Sequence, residues 1–203
     1  MRVRAVLAIT AFVAATSLDV DAIITPLTRA DMERATALAR WPRSDADRSR
    51  FHAPYIVRLT GVAADVITVT TIEVITEFRR LELIAEDHAR ANDNFARGGL
   101  RDAEEAIRPF QGVVAIVARL DINAGNRYIE GVPAVDIAVG DRNPMAPTNT
   151  RVAGMYASEG GLIGSTVEAT FDAVTLRDRR APVVLSFKGV RLTRVVLNFA
   201  QLD

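Results

Sequence analysis

The C-terminal part of the chain contains Ser165-Thr-Val-Glu-Ala-Thr-Phe-Asp-Ala-Val174, then Pro182-Val-Val-Leu-Ser-Phe187 and Thr193-Arg-Val-Val-Leu-Asn-Phe199. Apolar residues recur at every second position in these segments, and this period places them on one face of a β-strand. Because such rows need a hydrophobic core, the stretch predicts three strands of a packed sheet. The inward rows are Val167, Ala169 and Phe171; Val183, Leu185 and Phe187; and Thr193, Val195, Leu197 and Phe199.

The region that precedes this stretch, from Gly112 onward, also has a β pattern. An inward row occupies every second residue from Val114 to Ile122. The opposite face begins apolar at Val113 and becomes polar at Arg119, which is typical of a central strand that is covered at one end. Two further strands are predicted, one marked by Val135, Ile137 and Val139 and the other at Val152–Tyr156.

The N-terminal half begins with signals for two helices. Thr28 with Asp31, and Ser44 with Asp47, have the spacing of residues that cap a helix at its first turn. The first predicted helix places Met32, Ala35, Leu38 and Ala39 on one side, and Pro54 must end the second because proline cannot continue a helix.

Strands and a second helical segment follow. Residues 54–60 and 66–75 are rich in β-branched and aromatic residues and predict two strands. The spacing of Phe78, Leu81, Ala85 and His88 then predicts a helix that has begun by about Leu81 and continues to about Asn92, with the change from strand to helix near residues 76–80. A shorter helix is predicted at 102–108, before Pro109.

These elements predict a mainly β fold, an antiparallel β-sandwich with N-terminal helices and one helical insertion. The alternative is an α+β fold in which the helices pack across a single sheet. We expect one globular domain over residues 23–203, with mixed helix and strand in 23–110 and a β-rich part in 111–203.

Residues 1–22 have the layout of a secretory signal peptide. Met1–Arg4 is basic, Ala5–Ala15 is apolar apart from one threonine, and Val20-Asp-Ala22 suits signal peptidase. This layout predicts a periplasmic or secreted bacterial protein with no membrane span after cleavage, and the alternative is an uncleaved anchor. The protein has one lysine, Lys188, so nearly all its positive charge is arginine, as a GC-rich genome would produce.

Composition limits the classes of function. The 25 basic residues balance the 25 acidic residues, so there is no net positive charge to attract nucleic acid. The absence of cysteine removes a thiol nucleophile, a cysteine-ligated zinc site and a lipoprotein anchor.

No catalytic or ligand-binding motif appears in the sequence. The two histidines, His52 and His88, do not have metal-ligand spacing, and the acids beside His88 point in different directions on a helix. The sequence also lacks the glycine-flanked serine of hydrolases and the glycine-rich loops that bind nucleotides. We therefore predict no metal and no cofactor.

One arginine-rich turn is the candidate ligand site. Arg177, Arg179 and Arg180 could form an anion-binding edge, because guanidinium groups pair well with carboxylates and phosphates. The leading hypothesis is a non-enzymatic binding or structural domain of the cell envelope, whose partner is a protein, a peptide or a carbohydrate. The alternative is a secreted hydrolase whose site is assembled from distant residues.

Overall fold

The computed structural model describes residues 23, 25–64, 66–97, 99–123, 131–176, 180–199 and 202, so the predicted signal peptide at 1–22 lies outside the described residues. These ranges contain four α-helices and nine β-strands. The helices are α1 (Arg29–Leu38), α2 (Asp45–His52), α3 (Glu77–Ala91) and α4 (Arg101–Ile107). The strands are β1 (Ile56–Arg58), β2 (Ala63–Ala64), β3 (Ile67–Ile75), β4 (Val113–Ile122), β5 (Asp136–Val139), β6 (Asn149–Tyr156), β7 (Leu162–Asp172), β8 (Ala181–Phe187) and β9 (Val190–Leu197).

The strands form two antiparallel sheets. The larger, six-stranded sheet has the order β1-β3-β4-β7-β6, with β2 also paired to β3. The smaller sheet has the order β5-β8-β9. The predicted central position of β4 is confirmed, because Ile116 pairs with Val74 on one side and with Ala169 on the other. The fold is therefore rich in antiparallel sheet, with two N-terminal helices and a helical segment between β3 and β4.

One hydrophobic cluster contains side chains from both sheets. Val167, Leu185 and Leu197 are buried in it, as the alternation in the C-terminal part predicted. Phe187 and Val195 pack at its border and are only partly buried. The inward row of β4 is also confirmed from Val114 to Leu120, since every second residue there is buried. Burial of apolar area in this cluster is the main source of stability for the two sheets.

A β-bulge in β3 decides which of its residues face this cluster. The register against β4 shifts between Val69 and Thr71. Before the bulge the odd-numbered Ile67 and Val69 are in the cluster, and after it the even-numbered Ile72 and Val74 are. The extra residue therefore turns Glu73 onto the other face of the sheet.

Helix α3 lies against that other face. Arg79 Nη2 is 3.2 Å from Glu73 Oε1 on β3, and Arg80 Nη2 is 2.9 Å from Glu168 Oε1 on β7. Glu73 and Glu168 flank Val117 of β4 in the same cross-strand row. The helix covers only part of this face, which explains why the outward row of β4 is apolar at one end and polar at the other. A second hydrophobic cluster joins α1, α3 and α4.

The two N-terminal caps are confirmed. Thr28 and Asp31 form a reciprocal capping box on α1, and Ser44 Oγ accepts a hydrogen bond from the Asp47 backbone at 3.1 Å. The predicted buried side of α1 is correct except at Leu38, which is 46% exposed.

The start of α3 lies within the predicted boundary at residues 76–80. The helix begins at Glu77, about one turn before Leu81, because Thr76 acts as its N-cap and accepts a hydrogen bond from Arg79 N at 3.1 Å. No helix in the described ranges has the length and apolar character needed to cross a lipid bilayer.

Candidate functional site

A fully buried arginine joins α2, β3 and α3. Arg79, at 0% exposure, is the largest of the fully buried side chains in the described residues. Its Nη1 lies 3.4 Å from Glu82 Oε2, and its Nη2 lies 3.2 Å from Glu73 Oε1 and also hydrogen-bonds His52 Nδ1. Burying a guanidinium without partners is very costly, so these contacts are required for the arginine to be inside the protein.

Two aromatic rings complete the surroundings of Arg79. Its guanidinium carbon lies 4.5 Å from the centre of the Tyr55 ring and 5.1 Å from the centre of the Phe51 ring. Both distances are within the range of cation–π attraction. The Nε atom of Arg79 is buried and has no hydrogen-bond partner in the described part of the chain.

The contact with Arg79 fixes the tautomer of His52. A guanidinium group can only donate hydrogen bonds, so Nδ1 of His52 accepts and the ring proton resides on Nε2. Nε2 faces Glu86 Oε2 at 3.6 Å. Burial, with repulsion from Arg79, lowers the pKa of His52, so the ring is neutral near pH 7. In this arrangement neither ring nitrogen has a free lone pair with which to act as a general base.

Glu82 is the titratable acid of the cluster. Burial raises its pKa to about 7, although Arg79 and a hydrogen bond from Tyr55 act in the opposite direction. The carboxyl group is therefore partly protonated near neutral pH. Such a perturbed acid beside a buried cation is common at functional sites, and it also occurs in structural networks.

Helix α2 lies above this cluster and is held to the protein by it. None of its eight residues is buried, and Phe51 and His52 at its end contact Arg79. Asp45, Arg48 and His52 recur at helical spacing and therefore share one side of α2.

That side of α2 faces β1 across an open groove of about 740 Å³, which we call the α2–β1 groove. Arg48 and Arg58 line it from opposite elements, His52 and Ile56 lie between them, and Asp45 is the one acid in the lining. Neither arginine forms an ion pair with a carboxylate of the described residues. The Nε atom of Arg48 is also buried without a hydrogen-bond acceptor in the described chain.

The opposite side of α2 borders a second groove of about 620 Å³, which we call the α1–α2 groove. Three arginines line it, Arg34, Arg40 and Arg43, together with Leu38 and one acid, Asp47. Arg43 stacks over Phe51 at 3.8 Å, and its Nε donates to the Arg40 carbonyl at 2.6 Å. Neither Arg40 nor Arg43 forms an ion pair within 4 Å with a carboxylate of the described residues, although Arg43 is near enough to Asp47 to help lower its pKa.

Positive charge is therefore concentrated around α2. Residues 40–58 include five arginines and two aspartates, in a chain whose formal net charge is zero. A local excess of positive charge attracts anions even when the whole protein is neutral.

The structure tests little of the predicted arginine turn. Arg177 and Arg179 lie outside the described residues, and Arg180 is exposed immediately before β8. Arg180 does not line either groove beside α2.

The other histidine, His88, lies in a smaller pocket of about 280 Å³. Its Nδ1 is 2.5 Å from Asp93 Oδ2, and its ring stacks on Phe95 at 4.3 Å between centroids. The hydrogen bond from His88 lowers the pKa of Asp93. Thr36 lines the same pocket, but its hydroxyl contacts the Met32 carbonyl at 2.9 Å and the Glu33 carbonyl at 3.1 Å.

No cluster of three or more histidine, aspartate or glutamate side chains suited to a metal ion occurs in the described residues. No protein-family model matches the chain, and no curated protein sequence aligns with it significantly.

Sequence reasoning missed the Arg79 cluster and both grooves. The available signal was the spacing of Arg79, Glu82 and Glu86, which share one side of a helix that begins at Glu77. Because the sequence left the boundary between strand and helix open over residues 76–80, it did not establish that Arg79 belongs to the helix and shares this side.

Proposed function

We propose that the chain is an exported, non-enzymatic binding domain of the bacterial envelope that holds an anionic ligand in the α2–β1 groove. The observation that carries the proposal is that Arg48 and Arg58 line one groove without a described carboxylate partner. A carboxylate or phosphate group in this groove would pair with the guanidinium groups of both arginines.

The rest of the molecule supplies a rigid base for this groove. We propose that the two sheets stack as a β-sandwich, which the shared hydrophobic cluster supports, with the helices on the outer face of the larger sheet. In this arrangement β1 carries one wall of the groove, and the Arg79 cluster holds α2, the other wall. A site whose walls are held by buried contacts loses little entropy when it binds.

The proposal is tested by titrating citrate and inorganic phosphate into the protein while the arginine Nε–H signals are followed by NMR. We expect the signals of Arg48 and Arg58 to shift in a saturable manner and the binding to weaken at higher salt. The double variant R48Q/R58Q should bind at least about tenfold more weakly, since each lost charged hydrogen bond is worth about 1.5–3 kcal/mol.

The matched control is R101Q. Arg101 is 87% exposed at its side chain, pairs with Glu105 at 3.1 Å and lies on α4, outside both grooves. Its replacement should leave citrate binding unchanged. Equal shifts of the Arg101 and Arg48 signals would indicate non-specific ion binding and would refute the proposal.

A secreted hydrolase is the second candidate, and the His88–Asp93 pair favours it. With its Nδ1 proton directed to Asp93, His88 keeps Nε2 without a hydrogen bond to any other described residue. A ring held in this way could accept a proton from a nucleophile. Hydrolysis of nitrophenyl esters by the wild type that is lost in H88Q would support this candidate, and identical background rates would reject it.

A further inference from the structure

The α1–α2 groove lies on the other side of α2 from the proposed anion site, and it has the same kind of lining. Arg40 and Arg43 form no ion pair within 4 Å with a described carboxylate, as is also the case for Arg48 and Arg58, although Asp47 lies near Arg43 in the same lining. The two grooves are thus two positively charged depressions separated by the width of one helix.

Helix α2 also carries an exposed arginine that lines a third depression, together with Leu38 and Phe51. Arg50 lies on α2 with its side chain 79% exposed, and its one described ion-pair partner is Asp47 at 2.6 Å. Because α2 has no buried residue, an extended ligand could cross it without displacing any part of the core.

The α1–α2 groove differs from the α2–β1 groove in one respect, a large exposed apolar side chain. Leu38 is 46% exposed, although it follows the buried side of α1 in sequence, and Pro42 lies beside it in the lining. An exposed leucine among arginines fits a ligand that carries an apolar side chain next to an acid. Peptides have such neighbours, whereas acidic polysaccharides and nucleic-acid backbones do not.

We propose that the ligand is an acidic peptide segment that crosses α2, with one acidic residue in each groove and an apolar residue against Leu38. This inference rests on the proposed function and specifies its ligand. An α-helix with its side chains is about 10 Å across, and an extended chain covers that distance in about three residues. The recognised pattern is therefore two acids separated by two residues, with an apolar residue next to the acid in the α1–α2 groove.

The probe for this inference is the labelled peptide Glu-Leu-Ser-Glu-Leu-Ser-Glu, and binding is measured by fluorescence anisotropy. The variant R40Q/R43Q should weaken peptide binding at least about tenfold, because two charge-assisted contacts are lost. The single variant R40Q should leave the citrate-induced shifts of Arg48 unchanged, because Arg40 is exposed and does not line the α2–β1 groove. R101Q again serves as the control for loss of a positive charge elsewhere.

The apolar contact is tested with L38S and with the peptide Glu-Ser-Ser-Glu-Ser-Ser-Glu. L38S should weaken binding of the leucine-containing peptide about fivefold and leave binding of the serine peptide unchanged. Because Arg43 contacts Phe51, R43Q could loosen α2; the single variant R40Q avoids this, since Arg40 is exposed.

The outcomes separate this inference from the function on which it rests. If citrate binds at Arg48 but peptide binding does not depend on Arg40 or Leu38, the peptide proposal is wrong and the anion site stands. If dextran sulfate binds as tightly as the peptide and L38S has no effect, the surface is a general polyanion site and the peptide proposal is again wrong. If citrate fails to shift Arg48, both proposals fail.

Discussion

On one face of the six-stranded sheet, apolar side chains share a hydrophobic cluster with side chains of the smaller sheet. On the other face, α3 brings ionisable groups into the interior, and Arg79, Glu77, Glu82 and Glu86 are all buried. Apolar contacts are non-directional and tolerate exchange of residues of similar volume, whereas buried charges depend on particular partners at particular distances. The comparison indicates that the first face determines the fold and the second determines where α2 lies.

The largest effect on stability is expected from removing Arg79, the central charge on the face of the sheet that α3 covers. We predict that Arg79→Ala lowers the free energy of unfolding by about 3–5 kcal/mol, because Glu82 is left buried without its counterion and two ring contacts are lost. Urea denaturation measures this value. The matched change on the apolar face, Leu185→Ala, should cost about 2–5 kcal/mol.

A double replacement shows whether lost charge pairing or lost side-chain volume causes the drop in stability of Arg79→Ala. If the cost of Arg79→Ala arises from the unpaired acid, then Arg79→Met together with Glu82→Leu should recover most of the lost stability. A double variant as unstable as Arg79→Ala would show that packing geometry alone accounts for the loss.

The pH dependence of stability should also differ between the two faces, since only the second carries buried titratable groups in the described residues. The pKa of Glu82 is raised to about 7, so between about pH 4.5 and about pH 7 the folded protein retains a proton that the unfolded chain has lost. Stability therefore falls as pH rises through this window. Relative to the wild type, Glu82→Gln should gain stability over the same window, as measured by urea unfolding at several pH values.

His52 should change the pH dependence of folding stability in the opposite direction to Glu82. Its pKa is lowered by burial, so below about pH 6.5 the unfolded chain binds a proton that the folded protein does not. Its contribution rises with pH up to about 6.5 and is constant above that value. The stability of His52→Asn relative to the wild type should fall over this range, and parallel curves for the two variants would contradict both assignments.

The smallest effect is expected at the edge of the charged region. Ser44→Ala removes the cap of α2, which costs about 1 kcal/mol. Because α2 has no buried residue, the loss should appear as faster amide hydrogen exchange within α2. Thr28→Ala on α1 is the control, since α1 is tied to the helical core through Met32 and Ala35. Exchange accelerated equally in both helices would show that α2 depends on its N-cap no more than α1 does.

Local patterns were sufficient for most of the apolar face. The alternation from Val114 to Leu120 and from Val167 to Phe171 correctly identified buried rows, since a period of two has one structural meaning in a strand. The caps at Thr28 and Ser44 were also predictable, because their hydrogen bonds lie within one turn of the chain.

The contacts of the charged face could not be predicted from local sequence patterns. Arg79 contacts His52, which is 27 residues away in sequence, and only the bulge in β3 turns Glu73 towards it. The sequence does not show whether an arginine or a glutamate is buried or exposed to solvent. The pattern of residues therefore did not separate the buried charges from the exposed ones. The predicted arginine turn was instead chosen for its local density of charge, and binding at Arg177, Arg179 and Arg180 stays a prediction.

The sequence by itself determined the β-rich character, the inward rows and the helix caps, because each depends on residues a few positions apart. Tertiary structure alone decided that Arg79 is buried, that α2 rests on it, and that a groove on either side of α2 is lined by two or more arginines. The physical reason is that a buried charge is stable only where distant segments supply its partners, and those partners are adjacent only in the folded chain.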